Sequence, residues 1–239
     1  MEWEQRRWSI SDRYWAALRT NFALTSLDIS SNHVRDAGIG SLCEILRTNS
    51  VLVDLNVSET DLTDVGVEGI VEMLRVNPTL TSLDLSSNEI GAVGAQALGD
   101  VLQVNSTLTT LNLGWNNLND ASIRHLCDAL RVNTTLTNMD FGDEFETYQT
   151  HEIMQYIADT IRINFTLTSF VCCRNYIDPI GIQYIVEALR SNFTLTAIGY
   201  MTRYLKLQVD EILVRNKCNA HLKDAGLVYT VYKYLGQLE

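Results

Sequence analysis

Across its first 205 residues the sequence contains no lysine, so arginine alone supplies permanent positive charge over that stretch. Residues 1–200 hold 25 acids against 12 arginines, and the whole chain carries a formal net charge of −11. A surface of that sign repels nucleic acid and favours a protein partner with a basic surface. No apolar run approaches the roughly 18 residues of a membrane span. The opening "MEWEQRRWSISDRYW" lacks the apolar segment of a secretory signal, so a cytoplasmic protein with no membrane association is expected. Cysteine is sparse and odd in number: Cys43, Cys127, Cys172, Cys173 and Cys218 form no CxxC pair and have no histidine at metal-ligand spacing. Reduced thiols, no metal and no cofactor are expected. Catalytic patterns are missing as well. His33, His125, His151 and His221 pair with no nucleophile and orienting carboxylate, and HExxH, GxSxG and a phosphate loop are absent. "GIGSLC" at Gly38 lacks the lysine of a Walker motif and reads as packing glycine. The residues point away from an enzyme.

What the chain has is a repeat. "NPTLTSLDLSSNEIGAVG" at Asn77 returns as "NSTLTTLNLGWNNLNDAS" at Asn105 and "NFALTSLDISSNHVRDAG" at Asn21. Alignment on that asparagine gives starts at Asn21, Asn49, Asn77, Asn105, Asn133, Asn164 and Asn192, a period of 28 with one step of 31. Seven units at one period mean a solenoid. Leu83 and Leu85 alternate with Ser82, Asp84 and Ser86, the period of a strand with one buried face. Val67, Ile70, Val71 and Leu74 recur at helical spacing. Each unit is therefore strand, loop, helix. A strand reaching a parallel neighbour through a helix crosses right-handed, which places the sheet inside the curve and the helices outside.

The core Leu80-x-x-Leu83-x-Leu85-x-x-Asn88 resembles the leucine-rich repeat, and the 28-residue helical unit resembles its ribonuclease-inhibitor class, over about residues 8 to 216. The resemblance implies an α/β fold: a right-handed leucine-rich-repeat solenoid forming a horseshoe segment, with a parallel sheet on the concave face and helices on the convex face. The expected boundaries are an N-terminal helical cap at 1–20, seven repeats at 21–202 and a C-terminal helical cap at 203–239.

Other columns carry structural expectations. Asn32, Asn88, Asn116 and Asn175 follow the strands, where an amide can satisfy turn backbone and join repeats. Asp36, Asp64 and Asp120 sit where helix N-caps belong. Arg47, Arg75, Arg131, Arg162 and Arg190 fall in the last helical turn, where they complement the helix dipole and read as scaffold rather than as an anion site. The seven helix-ending asparagines sit where that residue tolerates the left-handed conformation. Four of them, with Asn56, also match N-x-[ST], a pattern the repeat generates without implying glycosylation.

The candidate site is a surface. Outward strand positions form one column, Asp28, Asn56, Asp84, Asn112, Asp140, Val171 and Gly199, flanked by Ser26, Asp54, Ser82, Thr110, Asn138, Ser169 and Ala197 on one side and by Ser30, Ser58, Ser86, Gly114, Gly142, Cys173 and Met201 on the other. Acids two strands apart stand about 10 Å from one another, too far to share a proton or one metal but suited to a row of contacts. Two irregularities add candidates. Trp115 replaces the serine of other repeats, as packed cover or as interface anchor. The three-residue insertion in "FGDEFETYQTHEI" adds Phe145 and Tyr148 beside Asp143. The expected function is protein binding without catalysis, through the concave face and the repeat-five loop, by a monomer or weak self-associator. Similar repeats occur in immune receptors, tropomodulin-like actin regulators, Ran GTPase activators and bacterial effectors. A GTPase activator is the alternative, with Arg174 its one candidate arginine. The lysine-free body also suits a protein acting beside the ubiquitin machinery.

Overall fold

The computed structural model describes residues 17–142, 151–172, 179–199, 209–210, 212–218 and 220. Strands and helices alternate as β1 Ser26–Asp28, α1 Arg35–Leu46, β2 Asp54–Asn56, α2 Asp64–Leu74, β3 Ser82–Asp84, α3 Ala92–Leu102, β4 Thr110–Asn112, α4 Asp120–Val132, β5 Asn138–Asp140, α5 His151–Ile163, β6 Ser169–Val171, α6 Pro179–Ser191 and β7 Ala197–Ile198. The seven strands form one parallel sheet in chain order, and each helix from α1 to α6 packs on the next. The register is in step throughout, with Leu27, Leu55, Leu83, Leu111, Met139, Phe170 and Ile198 side by side.

Those central strand residues point into a core shared with the inner faces of the helices. Leu55, Leu83, Leu111, Met139 and Phe170 are buried, as are Leu85, Leu113 and Phe141 two positions on. Toward the C-terminal end the leucines give way to larger residues, and Phe141 meets Phe170 edge-on at 5.2 Å between ring centres. Strands lie about 4.8 Å apart whereas packed helices need about 8–10 Å, so the sheet must take the inner radius of a curve and the helices the outer one. Cys43 and Cys127 occupy one core position in two repeats, and burial pushes both thiols up to about 12.

Two expectations about the helix ends need correction. Asp64 and Asp120 lie one residue inside their helices, and Thr63 and Asn119 provide the caps: Thr63 accepts from the Val65 N–H and Asn119 from that of Ser122. Asp36, in the first turn of α1, and Asp64 serve the following repeat instead. Asp36 accepts from the Thr63 N–H and hydroxyl, both at 2.8 Å, and Asp64 from the Gly91 N–H at 2.7 Å. The acids thus fasten one helix start to the next while still facing the positive end of the dipole. At the other end Arg47, Arg75, Arg131 and Arg162 pair with Glu44, Glu72, Asp128 and Asp159 one turn back. Arg131 also stacks on Tyr156, 4.2 Å from the ring centre, and the Tyr156 phenol donates to Asp128, which pushes its pKa upward.

The helix-ending asparagines are not left-handed. Asn133 has φ −70 and ψ 131, and none of the seven is among the residues with positive φ. From Asn77 onward a buried ladder holds them. The Asn77 side-chain oxygen accepts from the N–H groups of Thr79 and Leu80, and its amide donates back to the carbonyls of Leu46 at 2.6 Å and Asn49 at 3.1 Å. Asn105, Asn133, Asn164 and Asn192 repeat the arrangement toward Leu74, Leu102, Leu130 and Ile161. Asn216 adds a further rung, donating to Asn192 and Leu195, and Arg215 beside it donates to the carbonyls of Leu189, Arg190 and Asn192. Each rung satisfies backbone groups that a helix end would otherwise bury unpaired. With their amides engaged inside the fold, Asn105, Asn133, Asn164 and Asn192 offer no attachment point for a glycan.

Candidate interaction surface

The parallel pairing brings the outward column together as read. Asp28 stands beside Asn56, Asn56 beside Asp84, Asp84 beside Asn112, Asn112 beside Asp140 and Asp140 beside Val171, with Ser26, Asp54, Ser82, Thr110, Asn138, Ser169 and Ala197 as the neighbouring file. Of the remaining predicted residues, Trp115 lies at the exit of β4, while Asp143, Phe145, Tyr148 and Arg174 lie outside the described residues. So do Asn175, Cys173 and Met201.

Every acid and amide of the column from residue 28 to 140 closes a local turn. Asp28 accepts from the Ser30 N–H, Asn56 from Ser58, Asp84 from Ser86, Asn112 from Gly114 and Asp140 from Gly142, at 2.8–3.0 Å. Amides also bridge the acids: Asn112 donates to the second oxygen of Asp84 at 2.9 Å. The Asp28 carboxyl is held below its usual range, chiefly by the Ser30 hydroxyl, then by the Ser30 N–H, with a contribution from Asn56 working against the small effect of burial. These contacts hold the side chains in place, and an ionised carboxylate can accept about four hydrogen bonds in all. Across the first four strands the three outward files carry only Ser, Thr, Asp, Asn and Gly, so the face is a row of preset acceptors without bulky side chains.

Two features of its rim escaped the sequence reading. Threonines before the strands donate to the preceding repeat: Thr81 to Val53, Thr109 to Thr81, Thr137 to Thr109, Thr168 to Thr137 and Thr196 to Thr168. Their recurrence once per repeat, broken only by Val53, was the available signal. The strand exits carry the left-handed residues, Ser31 at φ 56, Glu59 at 54, Ser87 at 55 and Trp115 at 60, with Arg35 and Asp61 nearby at 60 and 58. Such a conformation costs a residue with a Cβ about 1–2 kcal/mol. The Trp115 N–H donates to the Gly142 carbonyl, and the residue, half-buried, follows the end of β4. Around the first two exits Ser31 donates to Glu59, and Asp61 pairs with His33 at 2.7 Å and with Arg35 at 3.8 Å.

The leucine-rich-repeat family profile matches residues 20–43, 48–71, 76–99 and 104–127, and each match begins one residue before a helix-ending asparagine, passes the strand and ends inside the following helix. The chain is a leucine-rich-repeat protein. Its 28-residue strand–helix units place this leucine-rich-repeat protein in the ribonuclease-inhibitor-like class, and protein binding is the role typical of that family and fold. No curated protein sequence matches it. Among solved structures, one titled leiomodin-1 actin-binding site 2 is 20% identical, with 93% of this chain and 98% of that chain covered and a TM-score of 0.41. The tropomodulin C-terminal domain of Caenorhabditis elegans is 15% identical, with 90% and 98% covered and a TM-score of 0.43. Neither likeness is close enough to carry an argument about function. No helix among the described residues is long and apolar enough to cross a membrane, and none of their His, Cys, Asp and Glu side chains gather in threes to hold a metal ion.

Proposed function

We propose that this leucine-rich-repeat protein is a non-enzymatic binding module that recognises a protein partner with a basic surface through its concave strand face. Asp28, Asp84, Asn112 and Asp140 supply the acceptors and Trp115 an anchor at the rim, while Asp143, Phe145, Tyr148 and Arg174 extend the site into the repeat-five and repeat-six loops. The observation that carries this reading is the preset row of Asx acceptors. Side chains already locked by Ser30, Ser86, Gly114 and Gly142 forfeit little of the roughly 0.5–1.5 kcal/mol that ordering a free side chain costs on binding. Residues 1–20 and 203–239 act as helical caps, and the protein works in the cytoplasm as a monomer or weak self-associator.

The test is affinity capture of partners by the intact protein beside the quadruple variant Asp84→Ala, Trp115→Ala, Asp140→Ala, Tyr148→Ala, after circular dichroism shows equal folding. A basic partner retained by the first and lost by the second is the expected result. Equal retention would remove the concave face from the account.

A further inference from the structure

The seam between the first two repeats is held differently from those that follow. At the exits of β3 and β4 a buried asparagine ties each repeat to the one before it. Asn88 accepts from the N–H groups of Thr60 and Leu62 and donates to the Val57 carbonyl at 3.0 Å; Asn116 accepts from the Ile90 N–H and donates to Leu85 at 3.0 Å. At the exit of β2 that column holds Thr60, whose hydroxyl donates within its own repeat, to Val57 at 2.8 Å. Asn32 turns its amide on Ile29 and Ser30, also in its own repeat. The threonine file before the strands breaks at the same seam, because Val53 has no hydroxyl to give to the Thr25 carbonyl.

Exposed pairs cross the seam instead. Ser26 donates to Asp54 at 3.2 Å, Ser31 to Glu59 at 2.8 Å, and His33 meets Asp61 at 2.7 Å with side chains 66% and 43% exposed. Such pairs contribute little, and salt screens the charged ones. Leu24, Leu27 and Ile29 are half-buried, where Leu83 and Leu85 of the third repeat are fully so. By contrast α1 is pinned at both ends: Asp36 accepts from Thr63, and Asn77 donates to the carbonyls of Leu46 and Asn49. Val34, at the N-cap of α1, supplies no side-chain cap, so no such bond couples the loop after β1 to the helix.

We propose that β1 and its exit loop, residues 25–34, form a displaceable edge that swings away from β2 while α1 stays in place. The motion carries Asp28 with it, so the acceptor row has two lengths, one starting at Asp28 and one at Asn56. Its use in regulating recognition rests on the concave face being the binding site; the opening itself does not, and is read on the free protein. Amide hydrogen exchange followed by NMR on the full chain measures it directly. The Ile29 and Ser31 N–H groups donate to Asn56 and Ser58 at 3.0 Å, and their counterparts Leu85 and Ser87 donate to Asn112 and Gly114 at 2.8 and 2.9 Å, so the bonds themselves are alike. Ile29 and Ser31 should exchange about tenfold faster or more than Leu85 and Ser87, and the gap should widen as salt is added. Val53→Thr and Thr60→Asn restore the two missing ties. Each should slow Ile29 and Ser31 about fivefold, the effect of one ordinary hydrogen bond, and leave Leu85 and Ser87 as they were. Val53 is 40% exposed, so its substitution decides the matter if asparagine does not fit at buried Thr60. Exchange at Ile29 and Ser31 as slow as at Leu85 and Ser87 would overturn the proposal. So would fast exchange that the folded variants leave unchanged, since it would then be the fraying of any chain end rather than a property of this seam.

Discussion

Two columns of side-chain amides and acids line the solenoid, one buried at the helix ends from Asn77 onward and one half-exposed at the strand ends from Asp28 to Asp140. Both use a side-chain oxygen to accept from backbone N–H groups just downstream: Asn105 from Thr107 and Leu108, Asn112 from Gly114. Yet the helix-end column is asparagine in every repeat, buried from Asn77 onward, and the strand-end one alternates aspartate with asparagine from residue 28 to 140. The difference lies in the other end of the amide. At the helix ends it must donate to the preceding repeat, as Asn105 does to the Leu74 carbonyl at 2.8 Å, and a carboxylate has nothing to donate. At the strand ends acceptance is enough, so acid is permitted wherever an amide stands next to it.

The sharpest way to break that comparison is to make one substitution in both columns. Asn105→Asp removes the donor and buries a charge facing a carbonyl, and should cost about 3 kcal/mol or more in urea denaturation. A loss no larger than that at Asn112 would erase the distinction. Asn216→Ala leaves the Leu195 carbonyl without its donor and the Asn192 carbonyl with Arg215 alone, and should cost about 1–3 kcal/mol. The loss should show as faster amide exchange around residues 192–199, against unchanged exchange near Asn77. Asn112→Asp should cost about 1 kcal/mol, by setting three carboxylates on adjacent strands. Like charges raise the folded-state pKa values, so that penalty is present at neutral pH. It should shrink as pH falls through the raised values and as salt is added.

The smallest effect concerns Asp28, whose carboxyl titrates below its usual value chiefly because of the Ser30 hydroxyl. A depressed folded-state pKa contributes stability above the unfolded value of about 3.9 and loses it as pH falls through the folded one. NMR titration of Ser30→Ala should move the Asp28 midpoint upward; an unmoved midpoint would assign the depression to the Ser30 N–H and Asn56 instead.

Repetition made much of this readable in advance. A column copied seven times announces its burial and its neighbours, so strand register, core leucines and the outward file from Asp28 to Asp140 followed from spacing. Conformation and partners did not. Asp64 and Thr63 are adjacent and both able to cap, and only the placement of Asp36 from the previous repeat shows that the threonine caps. The helix-ending asparagines were given a local role because their sequence neighbours are local, whereas the amide is used on residues about one repeat away. Trp115 stood out by size, but nothing in its neighbours revealed that its backbone is left-handed.

The ladder also bears on how such a chain can change over generations. Asn164 reaches back 34 residues to Leu130, where Asn105 reaches back 31 to Leu74, and the strands on either side of the insertion stay in register. Three extra residues between Asp140 and His151 thus left the buried rungs as they were. A wall that closes identically over repeats of unequal length separates what may vary from what may not: the segment after each strand is open to trial, and duplication of a whole unit brings its own lock and key. New recognition loops can be acquired one repeat at a time without renegotiating the rest of the fold.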